Sequence, residues 1–522
     1  MSKTFKYVDF HLSERREMSQ SRENGSDFWK PYMFLAEKTS DFIWRWLKTV
    51  IGLLLLTSFL FVFYLAFSNQ SQWKCPKCPY VLPEIPCSSP PEHQPSITRP
   101  DGQPNISHDG QTNISHIVFG IGGSVETWPK RRRYSELWWK PGQTRGFVWL
   151  DKKPHDGDTW PAVSIPYRVS EDTGRIGRRS AERIARIVAE SVRLEMEHVR
   201  WYVMGDDDTV FFTENLVEVL GKYDHEEYRY VGGVSESVEQ AVMHSYGMAF
   251  GGGGFAISSS LARVLARAMD GCLERYAHFY GSDQRVHACL SELGVPLTRE
   301  PGFHQVDLRG DAYGLLAAHP VAPLVSLHHL NYVKPLIPSG SQFDALEAIL
   351  RASRLDPSRS LQQTFCYDTR RNWSVSISWG YTAQIYPWIL TANMLEMPLR
   401  TFKTWRSYRD EPFTFNTRPW SPDTCENPLL YFLDRVDALG RGVTRSVYSR
   451  YRADPKECER AGFEPAQKIK SVEVFASKMG PGEWSKAPRR HCCDVQSNDG
   501  RESDSIEVKI RKCHVGDSPS LQ

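Results

Sequence analysis

The chain has 522 residues, with 64 Lys and Arg against 62 Asp and Glu, for a formal net charge of +2. At roughly 100–200 residues per domain, that length allows two or more domains. The balanced charge argues against a nucleic-acid binder, and the basic run Lys130-Arg131-Arg132-Arg133 is too short to change this; it fits a solvated helix face or a phosphate contact equally well.

Residues 1–48 are polar and mixed in charge, the composition of a cytosolic tail. Residues 49–67 carry no charge and as a helix would measure about 28 Å, close to the hydrocarbon thickness of a bilayer. Trp44, Trp46 and Tyr64 lie near its ends, and Arg45 and Lys48 precede it. This pattern predicts a transmembrane signal anchor with a cytosolic N-terminus. The polar lead is long for a cleaved signal peptide, and no clear small-x-small site follows. A buried core helix is the alternative. Everything after about Ser68 is then luminal, in keeping with the N-x-Ser sequons at Asn105, Asn113 and Asn372. Eleven cysteines in an oxidising compartment suggest disulfides, and the odd count leaves at least one free or intermolecular. Cys75-Pro-Lys-Cys78 lacks a second pair to complete a zinc site, so a stem disulfide, as in a disulfide-linked dimer, fits better.

Residues 68–115 have the Pro, Ser, Gln and Asn content of a stem. The apolar run His116 to Ile121 then reads as a buried strand, Tyr134 to Trp139 as a helix, and Gly146 to Leu150 as a second strand ending at Asp151. Ile184, Ile187, Val188, Val192 and Met196 mark one face of a helix from Arg178 to Val199. Trp201-Tyr202-Val203-Met204 forms a strand that runs into three acids, Asp206-Asp207-Asp208. Strands alternating with helices argue for an α/β layer fold with a largely parallel sheet. Beyond about Lys334, Phe343 to Leu350 is helical in pattern and Cys366 to Trp388 suggests strands. From about Glu464 the chain is charged and poor in large apolar residues.

The three acids at a strand tip are the most informative feature. Ligands of open α/β sheets bind at the carboxyl ends of strands, and hard divalent cations take carboxylate oxygens. A solvated acidic turn is the bland alternative. Gly251 to Gly254 fits close backbone approach to a ligand or a plain tight turn. Asp283, in Tyr280-Gly281-Ser282-Asp283, fits a helix N-cap or a general base. His328 and His329 end an apolar strand and offer an imidazole metal ligand, although lone histidines are often structural.

Taken together, Trp201 to Phe211, Gly251 to Ser258, Ser282-Asp283 and Pro301-Gly302-Phe303-His304 resemble the ordered motifs of Fringe-like β-1,3-glycosyltransferases. The stretch Leu315 to His329 is similar to the plant Fringe-related branch, as are Cys366-Tyr367-Asp368 and Trp379-Gly380-Tyr381. The resemblance implies a GT-A (Rossmann-like) fold, a UDP-sugar donor, Mn²⁺, a glycan acceptor and inversion with β-1,3 linkage. It further implies that Asp283 is the base, and that Asp208 and His328 (or its neighbour His329) bind the metal. Donor binding falls to Asp206, Asp207, Gly252 and Gly253, with Asp151 near the nucleoside. The family's acid pair before the base helix is here Ser282-Asp283, so a helper acid is missing.

The expected organisation is a tail over 1–48, an anchor over 49–67, a stem over 68–115 and a GT-A domain over 116–335. A C-terminal extension, α/β or β-rich, follows over 336–463, and a charged tail segment over 464–522. The expected function is a Golgi, type II membrane-anchored transferase of a hexose or N-acetylhexosamine. A catalytically silent glycan-binding protein on the same fold is the rival, and a metal-dependent hydrolase the third reading.

Overall fold

The computed structural model describes residues 46–61, 111–155, 159–171, 179–452, 458–485, 487–496 and 504–517. It divides into two units, 1–104 and 105–522. In the first, residues 46–61 form a helix; the rest of the expected anchor, 62–67, lies outside the described residues, as do the stem cysteines Cys75 and Cys78. No helix among the described residues is long and apolar enough to cross a membrane.

In the second unit, one sheet contains seven strands in the order β3-β2-β1-β4-β7-β6-β8. They are β1 (Ile117–Gly122), β2 (Arg145–Leu150), β3 (Tyr167–Val169), β4 (Trp201–Asp206), β6 (Tyr230–Gly232), β7 (Phe255–Ser258) and β8 (Leu297–Arg299). The run β3-β2-β1-β4 is parallel, β7 is antiparallel to β4 and β6, and β8 is parallel to β6. The mixed, parallel-rich α/β sheet expected from the pattern is therefore present. Its central strands β1 and β4 are buried almost throughout, as strands covered on both faces must be. One face packs on helices Arg179–Val192, Ser259–Arg275 and Ser282–Glu292 through Val188, Leu261, Leu265 and Val286. Cys272–Cys289 joins the last two helices.

Two helices differ in extent from the sequence pattern. The helix expected to reach Val199 ends at Val192, because Glu195 and His198 take left-handed φ values of 48° and 57°. The helix expected at Tyr134–Trp139 spans Trp128–Glu136, with Pro129 in its first turn, where a missing N–H costs nothing.

A small sheet sets up the site: β5 (Val210–Phe211), β9 (Phe303–His304) and β11 (Ser326–Leu327), in the order β5-β11-β9. β10 (Leu308–Gly310) pairs instead with β16 (Phe402–Thr404), and β15 (Leu399–Arg400) with β17 (Arg418–Pro419).

The C-terminal region builds an eight-stranded sheet, β12-β13-β14-β18-β19-β20-β22-β21. Its strands are β12 (Gln363–Asp368), β13 (Trp373–Ser378), β14 (Thr382–Tyr386), β18 (Leu429–Gly440), β19 (Val443–Tyr451), β20 (Ser471–Ser477), β21 (Cys492–Gln496) and β22 (Ser505–Arg511). The two end strands, β12 and β21, lie against one another and are joined by Cys366–Cys493. The sheet thus curls on itself around Val375, Ile377, Trp379, Tyr431, Tyr448, Val472, Val474 and Val508. Residues 464–522, expected as a charged tail segment, contribute three of these strands. Their charges alternate with buried residues, as in Val472-Glu473-Val474, so a low apolar content conceals a strand with one buried face.

Candidate active site

Strand pairing explains why distant residues meet. Asp206 ends β4 beside Gly122 of β1, at the carboxyl edge of the parallel strands. After the turn at Asp207 and Asp208, β5 pairs antiparallel with β11, placing Val210 opposite Leu327. The residue after Leu327 is His328, which this register brings back to Asp208. His328 Nε2 lies 3.1 Å from Asp208 Oδ1 and 3.7 Å from Asp206 Oδ2. Asp206, Asp208 and His328 can each offer one ligand atom, all within 4.8 Å of one another. Asp206 therefore joins the cluster expected of Asp208 and His328. His329 is not one of the three: its Nδ1 lies 2.9 Å from Asp307, and its ring stacks on Trp405.

The donor set fits a divalent cation. Asp208 Oδ2 is buried without a hydrogen-bond partner, an arrangement costly in free energy unless something positive approaches. Gly252 makes room for the imidazole: a Cβ there would lie 2.1 Å from His328 Cε1. The glycine run is held by Thr209 Oγ1, which donates to Gly252 O at 2.7 Å, and by Gly253 N, which donates to Gln305 Oε1 at 2.5 Å.

Asp283 opens the helix Ser282–Glu292 and lines the same hollow as Asp206, Gly252, Gln305 and His328. Its carboxylate accepts from Gly251 N at 3.0 Å and Gln284 N at 2.8 Å. The helix-start contact and the site contact coexist in one side chain. Burial pushes its pKa up, against those two N–H groups, which is the direction that favours a base. Enclosure also pushes Asp206 up to about 7; His328 opposes this, and Asp208 and Asp207 add to it. Burial would raise Asp208 as well, but the charge and hydrogen bond of His328, with Arg131, outweigh it and hold that carboxyl well below the usual range.

Asp207, expected to contact the donor, is buried and engaged inside the protein. It accepts from Thr127 Oγ1 at 2.6 Å and Arg131 Nη1 at 2.9 Å. Arg131 also approaches Asp208, at 3.5 Å. The basic run is therefore not a single patch: Lys130 and Arg133 are exposed, Arg133 pairing with Glu347 at the surface, while Arg132 pairs with Glu136 and Arg131 turns to the acids. Thr127 and Arg131, four residues apart, share a helix face, and that spacing was the available signal. Asp151 lies just past β2, exposed, accepting from Val125 N at 2.9 Å; it does not line the hollow.

Comparison with known proteins adds a direction. A family described as "Protein of unknown function, DUF604" matches residues 240–493, a little under half of the chain. A "Beta-1,3-glucosyltransferase" of Homo sapiens is 29% identical over 135 residues, 26% of this chain and 25% of that protein. Its Mus musculus counterpart is 28% identical over 169 residues, 32% of this chain and 31% of that protein. The chain thus spans about a quarter to a third of the length of the curated relatives it matches. A solved structure, "Mannosyltransferase PcManGT from Pyrobaculum calidifontis in complex with GDP-Man and Mn2+", aligns at 15% identity. Its TM-score of 0.21, over 40% of this chain and 62% of that one, is too low to carry an argument. In sequence, then, this chain is similar over part of its length to β-1,3-glucosyltransferases, a similarity that supports a glycosyltransferase.

Proposed function

We propose that the chain is a metal-dependent, inverting glycosyltransferase that moves a hexose or N-acetylhexosamine from a UDP-sugar to a glycan hydroxyl in β-1,3 linkage. Its place is the Golgi membrane, in type II orientation, held by residues 49–67. The observation that carries the reading is the meeting of Asp206, Asp208 and His328, two of which, Asp206 and His328, line one hollow with Asp283.

Asp206, Asp208 and His328 would hold the cation, Mn²⁺ by the Fringe-like resemblance. When bound, such an ion supplies neutralising charge for a diphosphate leaving group. The chain's own residues do the rest. Asp283 takes the proton of the acceptor hydroxyl as its oxygen attacks the anomeric carbon. The new C–O bond forms on the face opposite UDP, and the electron pair of the broken bond leaves with UDP. Gly251 and Gln284 aim the carboxylate through their N–H groups, and Arg131 holds Asp207 and Asp208 in register. No covalent enzyme intermediate is required.

The test is UDP release from a panel of UDP-sugars with Mn²⁺, alongside UDP binding. Asp208→Ala is expected to abolish Mn²⁺-dependent UDP binding; unchanged binding would remove the metal assignment. Glycan binding without UDP release from any donor would favour a catalytically silent binder, and sugar passing only to water a hydrolase.

A further inference from the structure

One cleft and one aromatic cluster are not used by the chemistry above, and two chain segments connect them. The cluster begins at His329, which lines the hollow of Asp283. Its ring stacks on Trp405 with centroids 4.6 Å apart and meets Tyr332 edge-on at 5.2 Å. The Arg309 guanidinium lies 3.8 Å from the Trp405 centroid, 4.7 Å from that of Tyr332 and 5.5 Å from that of Tyr408. Trp405 is thus packed by protein, while Tyr332 and Tyr408 remain 41% and 62% exposed.

Tyr408 is also held in an unfavourable backbone conformation, φ 54°, at an exposed turn. The turn is over-determined. Thr404 N donates to Arg409 O at 2.8 Å and Arg409 N to Thr404 Oγ1 at 2.9 Å. The Glu239 carboxylate accepts from Arg406 N at 2.7 Å and Ser407 N at 3.1 Å. Left-handed backbone fixed this firmly around a solvent-facing aromatic is a common mark of a ligand contact.

From this cluster the chain leads into a cleft of about 720 Å³, lined among others by Tyr313, Lys334, Arg400, Lys403, Trp420 and Tyr451. Tyr332 and Lys334 are two residues apart, as are Lys403 and Trp405. Arg309 is directly opposite Lys403 in the β10–β16 pair, so the two share a face of that ribbon, and the same Arg309 packs on Trp405, which follows β16 in the turn. The cleft, the aromatic cluster and the catalytic hollow therefore follow one another along one surface.

We infer that this surface is the acceptor site, and that the acceptor is a neutral oligosaccharide lying in the cleft with its reacting sugar against Tyr332 and Tyr408. The inference rests on the glycosyltransferase reading. Pyranose rings offer a flat C–H face bordered by hydroxyls, which suits tyrosine rings and polar side chains that both donate and accept. Two of the three named cleft cations are ion-paired, Arg400 with Glu411 and Lys403 with Asp410, and the third, Lys334, shares the cleft with Asp311. A strongly anionic chain would meet those carboxylates as well as the cations, whereas a neutral polyol can use both.

The experiment uses the full-length chain in detergent, with Mn²⁺ and UDP, on an array of neutral and anionic oligosaccharides. UDP binding and melting temperature are measured in parallel. Wild type is expected to bind at least one neutral oligosaccharide. Tyr408→Ala, and separately Lys403→Ala combined with Trp420→Leu, are expected to weaken that binding at least tenfold with UDP binding and melting temperature unchanged. Variants that bind the array like wild type overturn the inference, as does a wild type that binds UDP but only anionic glycans or none. Loss of UDP binding by wild type overturns the glycosyltransferase reading itself, and this inference with it.

Discussion

The two large sheets solve opposite problems. The parallel-rich sheet leaves its carboxyl edge open and concentrates repelling acids there: Asp206, Asp207 and Asp208. The C-terminal sheet brings its end strands together and concentrates covalent links: Cys366–Cys493, Cys492–Cys513 and, nearby, Cys425–Cys458. One region keeps unsatisfied groups where chemistry can use them; the other spends its sequence on closure. The lesson is that changes in the first should alter activity with little loss of stability, and changes in the second the reverse.

The largest expected effect tests the first half of that contrast. Asp283→Asn should lower sugar transfer by about 10²–10⁴-fold, the usual contribution of a general base, while donor binding is kept. Wild-type transfer rates in that variant would remove its role. Gly252→Ala should weaken Mn²⁺ binding by at least tenfold, read by calorimetric titration, because the added methyl occupies the place of the His328 ring. A melting temperature that falls in step with affinity would instead show that this position serves the fold.

The second half is tested by replacing Cys366 and Cys493 with Ala. Closing a loop of 127 residues is expected to contribute about 2–5 kcal/mol, so chemical denaturation should shift strongly while UDP binding at low temperature persists. If UDP binding is lost first, the two regions are not separable.

A smaller effect depends on pH. Burial, then Glu171, pushes Glu190 up to about 7, against Arg186. A carboxyl raised on folding favours the folded state below its ordinary pKa. That contribution is lost as pH rises from about 4.5 through about 7. Glu190→Gln should therefore flatten the fall in stability over this window and stabilise the fold at pH 8 by on the order of 1–3 kcal/mol, read as a higher melting temperature. A variant with the wild-type pH slope would reject this assignment. The smallest effect is expected at the junction: Trp405→Ala frees the His329 ring and should lower Mn²⁺ affinity several-fold, measured by the same titration, showing that the C-terminal region supports the site.

The open sheet was far more legible in sequence than the closed one. Its strands are continuous apolar runs followed by acids or glycines, and in β3-β2-β1-β4 two of the three pairings join strands successive in the chain, the β1–β4 pair being the crossover. The site residues could be named because the motifs are short and ordered along the chain. What joins them, the register of Leu327 against Val210, is a pairing across more than a hundred residues that no local pattern records. The closed sheet failed for a different reason. β20 pairs with β22 before β21, and alternating charge gave residues 464–522 the look of a solvated tail. Arg131 was hidden in a run of four cations, of which it alone turns toward the acids.

Gly252 carries a consequence for any chain built on this plan. Since even the smallest side chain collides with the imidazole, that one codon serves as a readable test of competence: a homologue bearing another residue there must have reseated or abandoned its histidine, whatever acids it retains. Sorting a genome's paralogues into working and decayed copies could begin at that position before any assay is run.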